Sequence, residues 1–217
     1  MRVAIAGGHG KIALRLTKLL AERGDQVVGI VRNPDHGADL RAAGAEPAVL
    51  DLEAGDGDAV AETLRGADAV VFAAGAGPGG GAARKDTVDL GAAVLVAETA
   101  ERIGVRRHIQ VSAMGLDRAD QPGMDEVFAV YLRAKDAAER DLRERDLDWT
   151  ILRPGRLTDE PAAGRVSLGS TAEYTQISRD DVAAVLAALL DEPGTAGLTV
   201  ELVAGDTPIV DAVRAVC

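Results

Sequence analysis

The chain of 217 residues carries a formal net charge of −11 at pH 7, and its hydrophobic fraction of 47% includes only 2% aromatic residues. This length predicts one domain with an aliphatic core, and the negative charge argues against nucleic acid as a partner because it repels phosphate backbones. One cysteine and three scattered histidines argue against a disulfide framework or a metal site, and with no apolar run long enough for a membrane span we expect a cytoplasmic protein.

Short apolar runs alternate with helical patterns along the first 154 residues. The six predicted strands cover residues 2–6, 26–31, 47–50, 69–72, 108–112 and 149–152. Helical spacing lies between them, and the two longest predicted helices cover residues 88–103 and 127–142. This alternation predicts an α/β protein of the Rossmann type, with a doubly wound parallel sheet and helices on both faces.

The pattern changes after Pro154. Short strands are predicted at 166–168 and 174–177, a helix at 181–190, a strand at 198–203 and a last helix that Pro208 opens. Because no linker interrupts this part, we expect a single domain over residues 1–217, in which residues 154–217 form a small substrate lobe over the sheet's C-terminal edge.

The turn after the first strand has the spacing of a phosphate-binding loop. Gly7 and Gly10 follow a predicted strand and precede a predicted helix that begins near Ile12. The glycines let the backbone approach a pyrophosphate, which the free N–H groups of the helix N-terminus would bind. We therefore predict a dinucleotide site here, with His9 and Lys11 either in contact with phosphate or ribose or exposed to solvent.

Further cofactor contacts are predicted at the ends of the next three strands. Arg32 stands where an acid would bind the ribose 2′-hydroxyl of NAD, so NADP(H) is favoured over NAD(H), unless Arg32 is only a solvated loop residue. Asp51, followed by Leu52, either binds the adenine amine or caps the next turn. The small residues that would let ribose and pyrophosphate lie against the fourth strand are Ala73, Ala74 and Gly75.

A tyrosine and a lysine share one face of the predicted helix 127–142. Tyr131 and Lys135 are four residues apart, downstream of Ser112 at the end of the fifth strand. In reductases of this architecture a tyrosine so placed transfers a proton at a carbonyl or alcohol, a lysine lowers the phenol pKa and binds the nicotinamide ribose, and a serine binds the substrate oxygen, and we predict these roles for Tyr131, Lys135 and Ser112. A structural role is the alternative, because this spacing is common in helices.

The same helix carries acids interspersed with arginines between residues 133 and 145. This arrangement predicts a solvent-exposed face of opposite charges. The acids are Asp136, Glu139, Asp141 and Glu144.

Together these motifs resemble the short, atypical members of the short-chain dehydrogenase/reductase superfamily, which are described as NAD(P)H-binding or NAD-dependent epimerase/dehydratase-like proteins. The motifs are Gly7-x-x-Gly10-x-x-Ala13, Val31-Arg32, Asp51-Leu52, Val88-Asp89, Val111-Ser112, Tyr131-x-x-x-Lys135, Leu152-Arg153-Pro154-Gly155 and residues 177–183. The resemblance implies a catalytic group of Ser112, Tyr131 and Lys135, and contact of Pro154 and Gly155 with the nicotinamide end. The short chain and the run Ala113-Met114-Gly115, which lacks a second hydroxyl, argue against a sugar-nucleotide substrate.

The first functional expectation is therefore an NADP(H)-dependent oxidoreductase acting on a small carbonyl, quinone or flavin-like compound. The alternatives are a non-catalytic sensor of the NADPH/NADP ratio and an NAD-dependent epimerase or dehydratase. Tyr131 with Lys135 favours an enzyme, because a sensor does not need the phenol. A small-molecule substrate is the expected partner, and one of the two long helices could form a homodimer interface.

Overall fold

The computed structural model describes residues 1–75 and 85–217. The strands are β1 (Arg2–Ala6), β2 (Gln26–Val31), β3 (Ala45–Val49), β4 (Ala69–Phe72), β5 (Arg107–Val111), β6 (Asp148–Pro154), β7 (Arg156–Thr158), β8 (Arg165–Gly169), β9 (Gln176–Ser178), β10 (Leu198–Ala204) and β11 (Thr207–Pro208). The α-helices are α1 (Lys11–Glu22), α2 (Gly37–Ala43), α3 (Gly57–Leu64), α4 (Ala93–Ile103), α5 (Glu126–Arg143), α6 (Arg179–Leu190) and α7 (Ile209–Ala215). Short 3₁₀ turns occupy Pro34–His36, Leu52–Ala54, Leu116–Asp120 and Pro193–Thr195.

Nine strands form one sheet in the order β11-β8-β10-β6-β5-β4-β1-β2-β3. Seven neighbouring strands of this sheet are parallel, namely β10, β6, β5, β4, β1, β2 and β3. Strand β8 runs antiparallel to β10, and β11 runs antiparallel to β8. The order 3-2-1-4-5-6 reverses direction between β1 and β4, and ligands bind at the carboxyl ends of the strands beside such a reversal. The predicted fold class is confirmed.

Two aliphatic layers cover the sheet because successive strand residues point to opposite faces. On one face Val3 and Ile5 of β1 pack with α1 and α6, and on the other Ala4 and Ala6 pack with α3, α4 and α5. Each fully buried Leu, Ile or Val contributes about 1.5–3 kcal/mol of apolar transfer free energy. The helices are thereby fixed on the sheet, and with them the side chains at its carboxyl edge.

The segment 154–217 has two parts. Strand β10 joins the main sheet beside β6, β8 and β11 extend the same sheet, and α6 packs against α1. Only β7 and β9 stand apart as a two-stranded parallel sheet. The predicted lobe is thus mostly an extension of the main sheet, while Leu157 of β7 and the first residue of α6, Arg179, reach the carboxyl edge.

Two local features differ from the predicted pattern. The predicted helix 88–103 begins as a π-helical segment, Lys85–Ala92, which widens the turn before α4. Strand β7, directly after Pro154 and Gly155, was not predicted. The glycine-rich run that follows Gly75, residues 76–81, lies outside the described residues. Within the described ranges, no helix is both long and apolar enough to cross a membrane.

Candidate functional site

Two clefts open side by side at the carboxyl edge of the sheet. They share Gly10, Ala73, Ala74 and Gly75. The first cleft is further lined by Gly7, His9, Ile30, Val31, Arg32, Asn33, His36, Leu50, Asp51, Leu52, Glu53, Val88 and Ala92. The second cleft is further lined by Lys11, Ile12, Asp89, Val111, Ser112, Asp125, Val127, Phe128, Tyr131, Lys135, Leu157 and Arg179.

The turn between β1 and α1 needs glycine at specific positions. Gly7 has a φ of +80°, and a Cβ there would lie 2.6 Å from the Cα of Ala74. A Cβ on Gly8 would lie 2.9 Å from the Cα of Gly29, so this position lets the turn pack on β2. Gly10 has an ordinary φ of −62° and stands at the N-cap of α1. The turn therefore brings bare backbone to the point where the two clefts meet.

The N-terminus of α1 offers donors to an anion. No side chain among the described residues makes a cap hydrogen bond there, and the amide of Gly10 is bonded to the carbonyl oxygen of Gly7 at 2.8 Å. The first N–H groups of a helix, here those from Lys11 onwards, have no partner within the helix and carry the positive end of its dipole. This cradle of backbone fits a dinucleotide pyrophosphate.

Arg32 lies in the first cleft, as predicted for a cofactor contact, but it is already paired. Its guanidinium is 2.5 Å from an oxygen of Glu53, which also accepts a hydrogen bond from the hydroxyl of Thr87 at 2.6 Å. The side chain of Arg32 is 53% exposed. Exposed ion pairs contribute only about 0–1 kcal/mol, so a phosphate could replace Glu53 as the partner of Arg32.

Two of the other predicted contacts in this cleft have protein partners. The ring of His9 stacks on that of His36, with centroids 3.6 Å apart, and its Nε2 is 2.8 Å from Asp39. The carboxylate of Asp51 accepts a hydrogen bond from the amide of Glu53 at 3.0 Å. One carboxylate oxygen of Asp51 therefore caps the turn after β3, and Asp51 also lines the first cleft.

Lys11 belongs to an ion cluster at the rim of the second cleft. Its Nζ donates to Asp159 at 2.7 Å, and Asp159 also pairs with Arg179 at 3.0 Å. The hydrogen bond from Lys11 is the main reason why the pKa of Asp159 lies below its usual value. Lys11 and Asp159 thus connect the start of α1 with the segment after β7.

Tyr131 and Lys135 face the second cleft from α5. The Nζ of Lys135 lies 3.3 Å from Asp89, donates to the carbonyl of Val111 at 3.2 Å and lies 5.9 Å from the centre of the Tyr131 ring. The side chains of Lys135 and Asp89 are 5% and 0% exposed. The structure therefore brings the predicted tyrosine and lysine together and adds a buried carboxylate, Asp89, to them.

The net shift of the phenol pKa is opposite to the lowering that we predicted from Lys135. Burial, and then the negative charge of Asp89, raise the pKa of Tyr131 above its ordinary value. Desolvation disfavours the phenolate, and Asp89 offsets the charge of Lys135. Tyr131 is therefore a protonated phenol at neutral pH, which can donate a proton.

Ser112 is bonded to a buried carboxylate. Its Oγ donates a hydrogen bond of 2.6 Å to Oε1 of Glu139. Glu139 is fully buried and also accepts hydrogen bonds from Arg143 and Arg153. The prediction that Glu139 lies on a solvent-exposed face is wrong, because this residue is on the inner side of α5, one turn after Lys135. The hydroxyl proton with which Ser112 would bind a carbonyl oxygen points to Glu139 instead.

The mouth of the second cleft is apolar and aromatic. Val127 and Phe128 are 42% and 45% exposed, and the rings of Phe128 and Tyr131 stack with centroids 5.7 Å apart. Exposed aromatic and aliphatic side chains beside a cleft favour a ligand with a flat apolar part.

Pro154 and Gly155 do not line either cleft, contrary to the expectation from the resemblance. A Cβ on Gly155 would lie 2.4 Å from the carbonyl oxygen of Thr175, so the close approach of that backbone explains the glycine. Three functional candidates were not predicted: Glu53, Asp89 and Glu139. Glu139 could have been found from its spacing, since it follows Tyr131 and Lys135 at intervals of four residues.

The family described as NAD(P)H-binding matches residues 7–193. A relative named as an uncharacterized sugar epimerase from Bacillus subtilis is 38% identical over 215 residues, which cover 99% of both chains. The solved structure of a provisionally named NAD-dependent epimerase/dehydratase from Bacillus halodurans is 38% identical, covers 99% of both chains and superposes with a TM-score of 0.91. An anaerobilin reductase from Escherichia coli is 25% identical, with a TM-score of 0.78 and coverage of 95% of this chain and 98% of that one.

Proposed function

The chain belongs to the NAD(P)H-binding family, and from this premise we propose that it is an NADP(H)-dependent oxidoreductase that reduces a small carbonyl, quinone or flavin-like compound. The observation that carries the proposal is the position of the Tyr131 phenol beside Lys135, in a cleft that adjoins the dinucleotide cradle. A binding protein that only senses the cofactor has no use for a proton donor at this place.

The chemistry divides between the cofactor and the chain's own residues. Bound NADPH supplies a hydride. Tyr131 supplies the proton, so that the substrate gains two electrons and two hydrogen atoms. Lys135 is held by Asp89 and the carbonyl of Val111, where its ammonium can bind a ribose hydroxyl and fix the cofactor beside the phenol. A positioned proton donor contributes about a hundred- to ten-thousandfold to the rate.

Arg32 supports NADP(H) as the preferred cofactor. It projects into the first cleft with Asn33 and His36 beside it. Its side chain is half exposed, and a 2′-phosphate would offer Arg32 a stronger, doubly charged partner than Glu53. With NAD(H), which has a hydroxyl at this position, Arg32 would stay with Glu53 and contribute little.

The shape of the second cleft favours a reductase over an epimerase. The mouth presents Val127 and the stacked rings of Phe128 and Tyr131, which suit a flat apolar part better than a ring of sugar hydroxyls, although polar side chains line the interior of the cleft. The reductase among the structural relatives supports the same direction.

The test is the consumption of NADPH, followed by its absorbance, in the presence of a panel of carbonyls, quinones and flavins. We expect turnover with at least one planar compound, and faster turnover with NADPH than with NADH. Tight binding of NADPH without consumption in any reaction would support a cofactor sensor instead. Interconversion of a nucleotide sugar with no net consumption of cofactor would support an epimerase.

A further inference from the structure

The carboxylate of Glu139 has four donors and no remaining acceptor site. Oε1 accepts from the hydroxyl of Ser112 at 2.6 Å and from Nε of Arg153 at 2.9 Å. Oε2 accepts from terminal nitrogens of Arg153 and Arg143, each at 2.6 Å. A carboxylate has about four lone-pair sites, and arginine has donors only. Glu139 is therefore ionised and saturated, and the fourth donor is the Ser112 hydroxyl.

This arrangement fixes the polarity of Ser112, that is, the direction in which its hydroxyl hydrogen and its lone pairs point. A hydroxyl has one hydrogen and two lone pairs, and here the hydrogen is bonded to Glu139. Ser112 is 5% exposed and lines the second cleft, so its Oγ can offer only lone pairs to a molecule there. Rotation of the hydrogen into the cleft would leave a lone pair of a fully buried carboxylate unpaired, which is unfavourable.

Resting on the proposed function, we propose that Ser112 accepts a hydrogen bond from the substrate, and that the substrate therefore carries a hydroxyl or N–H donor in addition to the group that is reduced. Tyr131 donates and Ser112 accepts, so the cleft selects molecules that pair an acceptor with a donor. An α-hydroxy ketone and a cyclic imide such as the flavin ring have both groups. Glu139 acts as a positioning residue, since it sets the direction of the Ser112 hydroxyl without contacting the cleft.

The polarity can be observed directly by neutron diffraction from deuterated crystals of the protein with NADP⁺. We expect the deuterium of Ser112 on the line from Oγ to Oε1 of Glu139. Deuterium directed into the cleft would overturn the proposal, and this result does not depend on any substrate.

The selectivity is tested with two matched pairs of compounds and NADPH. The first pair is α-hydroxyacetophenone and α-methoxyacetophenone, and the second is lumiflavin and its derivative methylated at the imide nitrogen. We expect kcat/KM to be about tenfold or more higher for the member with the donor, because the methylated member offers no hydrogen to the buried lone pairs of Ser112 Oγ. Equal values for both members of a pair that is turned over would overturn the proposal.

The variant Ser112→Ala separates hydrogen bonding from steric exclusion of the methyl group. It removes the acceptor, so the ratio within each pair should fall to about one. A ratio that stays near its original value would show that shape alone selects the substrate, and would overturn the role of Ser112. If no compound is reduced, the proposed function fails, while the neutron map still decides the polarity of Ser112.

Discussion

The two clefts meet at Gly10 but are built in different ways. The first cleft presents backbone at the glycine turn and the half-exposed side chain of Arg32, which is paired with Glu53. The second cleft is held by buried charges, since the side chains of Asp89, Lys135 and Glu139 are all 5% exposed or less. An exposed pair can exchange partners at little cost, whereas a buried charge that loses its partner is strongly destabilising. The side chains of the first cleft can thus change partners more easily than those of the second cleft.

The largest effect should come from the backbone cradle of the first cleft. Gly10→Val places a branched side chain where the two clefts join, and its Cβ would lie 3.2 Å from the carbonyl oxygen of Gly7. Loss of two charge-assisted hydrogen bonds to phosphate corresponds to about a thousandfold loss of NADPH affinity. Isothermal titration calorimetry measures the affinity, and circular dichroism should show a folded protein.

Gly57→Val is the matched control for Gly10→Val. Gly57 begins α3 away from both clefts, and a Cβ there makes only ordinary contacts of 3.5 Å or more. Its affinity for NADPH should be that of the wild type. An equal loss of affinity in both variants would mean that the turn is not the phosphate site.

The contrast between buried and exposed pairs is tested by unfolding. Glu139→Ala leaves Arg143 and Arg153 without their shared partner. We expect the free energy of unfolding to fall by about 3 kcal/mol. This value is at the low end for a broken buried pair, because both arginines are partly exposed. Glu53→Ala breaks the pair with Arg32 and should cost less than about 1 kcal/mol. Urea denaturation measures both free energies of unfolding. Similar losses in the two variants would contradict the distinction between a buried pair at the second cleft and an exchangeable pair at the first.

Tyr131→Phe tests the chemistry of the second cleft. The change deletes the proton donor and keeps the ring, so turnover should fall about a hundredfold while NADPH affinity changes little. The other tyrosine of the chain, Tyr174, supplies the control, since it is 50% exposed and does not line either cleft. Full activity of the Tyr131→Phe variant would show that the phenol is structural.

Alkaline pH should act on stability through the same phenol. The pKa of Tyr131 is raised in the folded state by burial and by Asp89, while an unfolded tyrosine has a pKa of about 10. The contribution of Tyr131 is therefore complete below about pH 10 and is lost as pH rises towards the folded value. In the Tyr174→Phe background, where Tyr131 is the remaining tyrosine, the phenolate absorbance should appear at a higher pH than that at which an ordinary tyrosine titrates. Titration at the ordinary pKa would contradict the burial of the phenol.

The smallest expected effect concerns cofactor choice. Arg32→Ala should reduce the preference for NADPH over NADH by about tenfold, since one hydrogen bond to a charged group contributes about 1.5–3 kcal/mol and Arg32 is half exposed. Arg65 forms an exposed pair with Glu62 on α3, outside both clefts, so Arg65→Ala is the control and should keep the preference. An unchanged preference in Arg32→Ala would assign the 2′-phosphate to another residue.

The same contrast explains what the sequence could reveal. The sheet and the placement of Gly7, Gly10 and Ala73 in the first cleft follow from contiguous motifs, because strand, turn and helix are local in the chain. The pairing of Ser112 with Glu139 joins residues 27 apart in the chain, and that of Lys135 with Asp89 spans two elements. Spacing along α5 places Glu139 on the same face as Lys135, but the residue with which it pairs depends on how the helix rests on the sheet.

The position of β10 between β6 and β8 has a consequence for folding during synthesis on the ribosome. During synthesis from the N-terminus, β6 is complete well before its neighbour Leu198–Ala204 exists. Until then one side of β6, with the apolar Ile151 and Leu152, is an open strand edge that can pair with other chains. Arg107 of β5 likewise lacks two of its hydrogen-bond acceptors, the carbonyl of Leu189 and the hydroxyl of Thr195, until those residues have been synthesised. The nascent chain is therefore most exposed to aggregation shortly before residues 198–204 leave the ribosome.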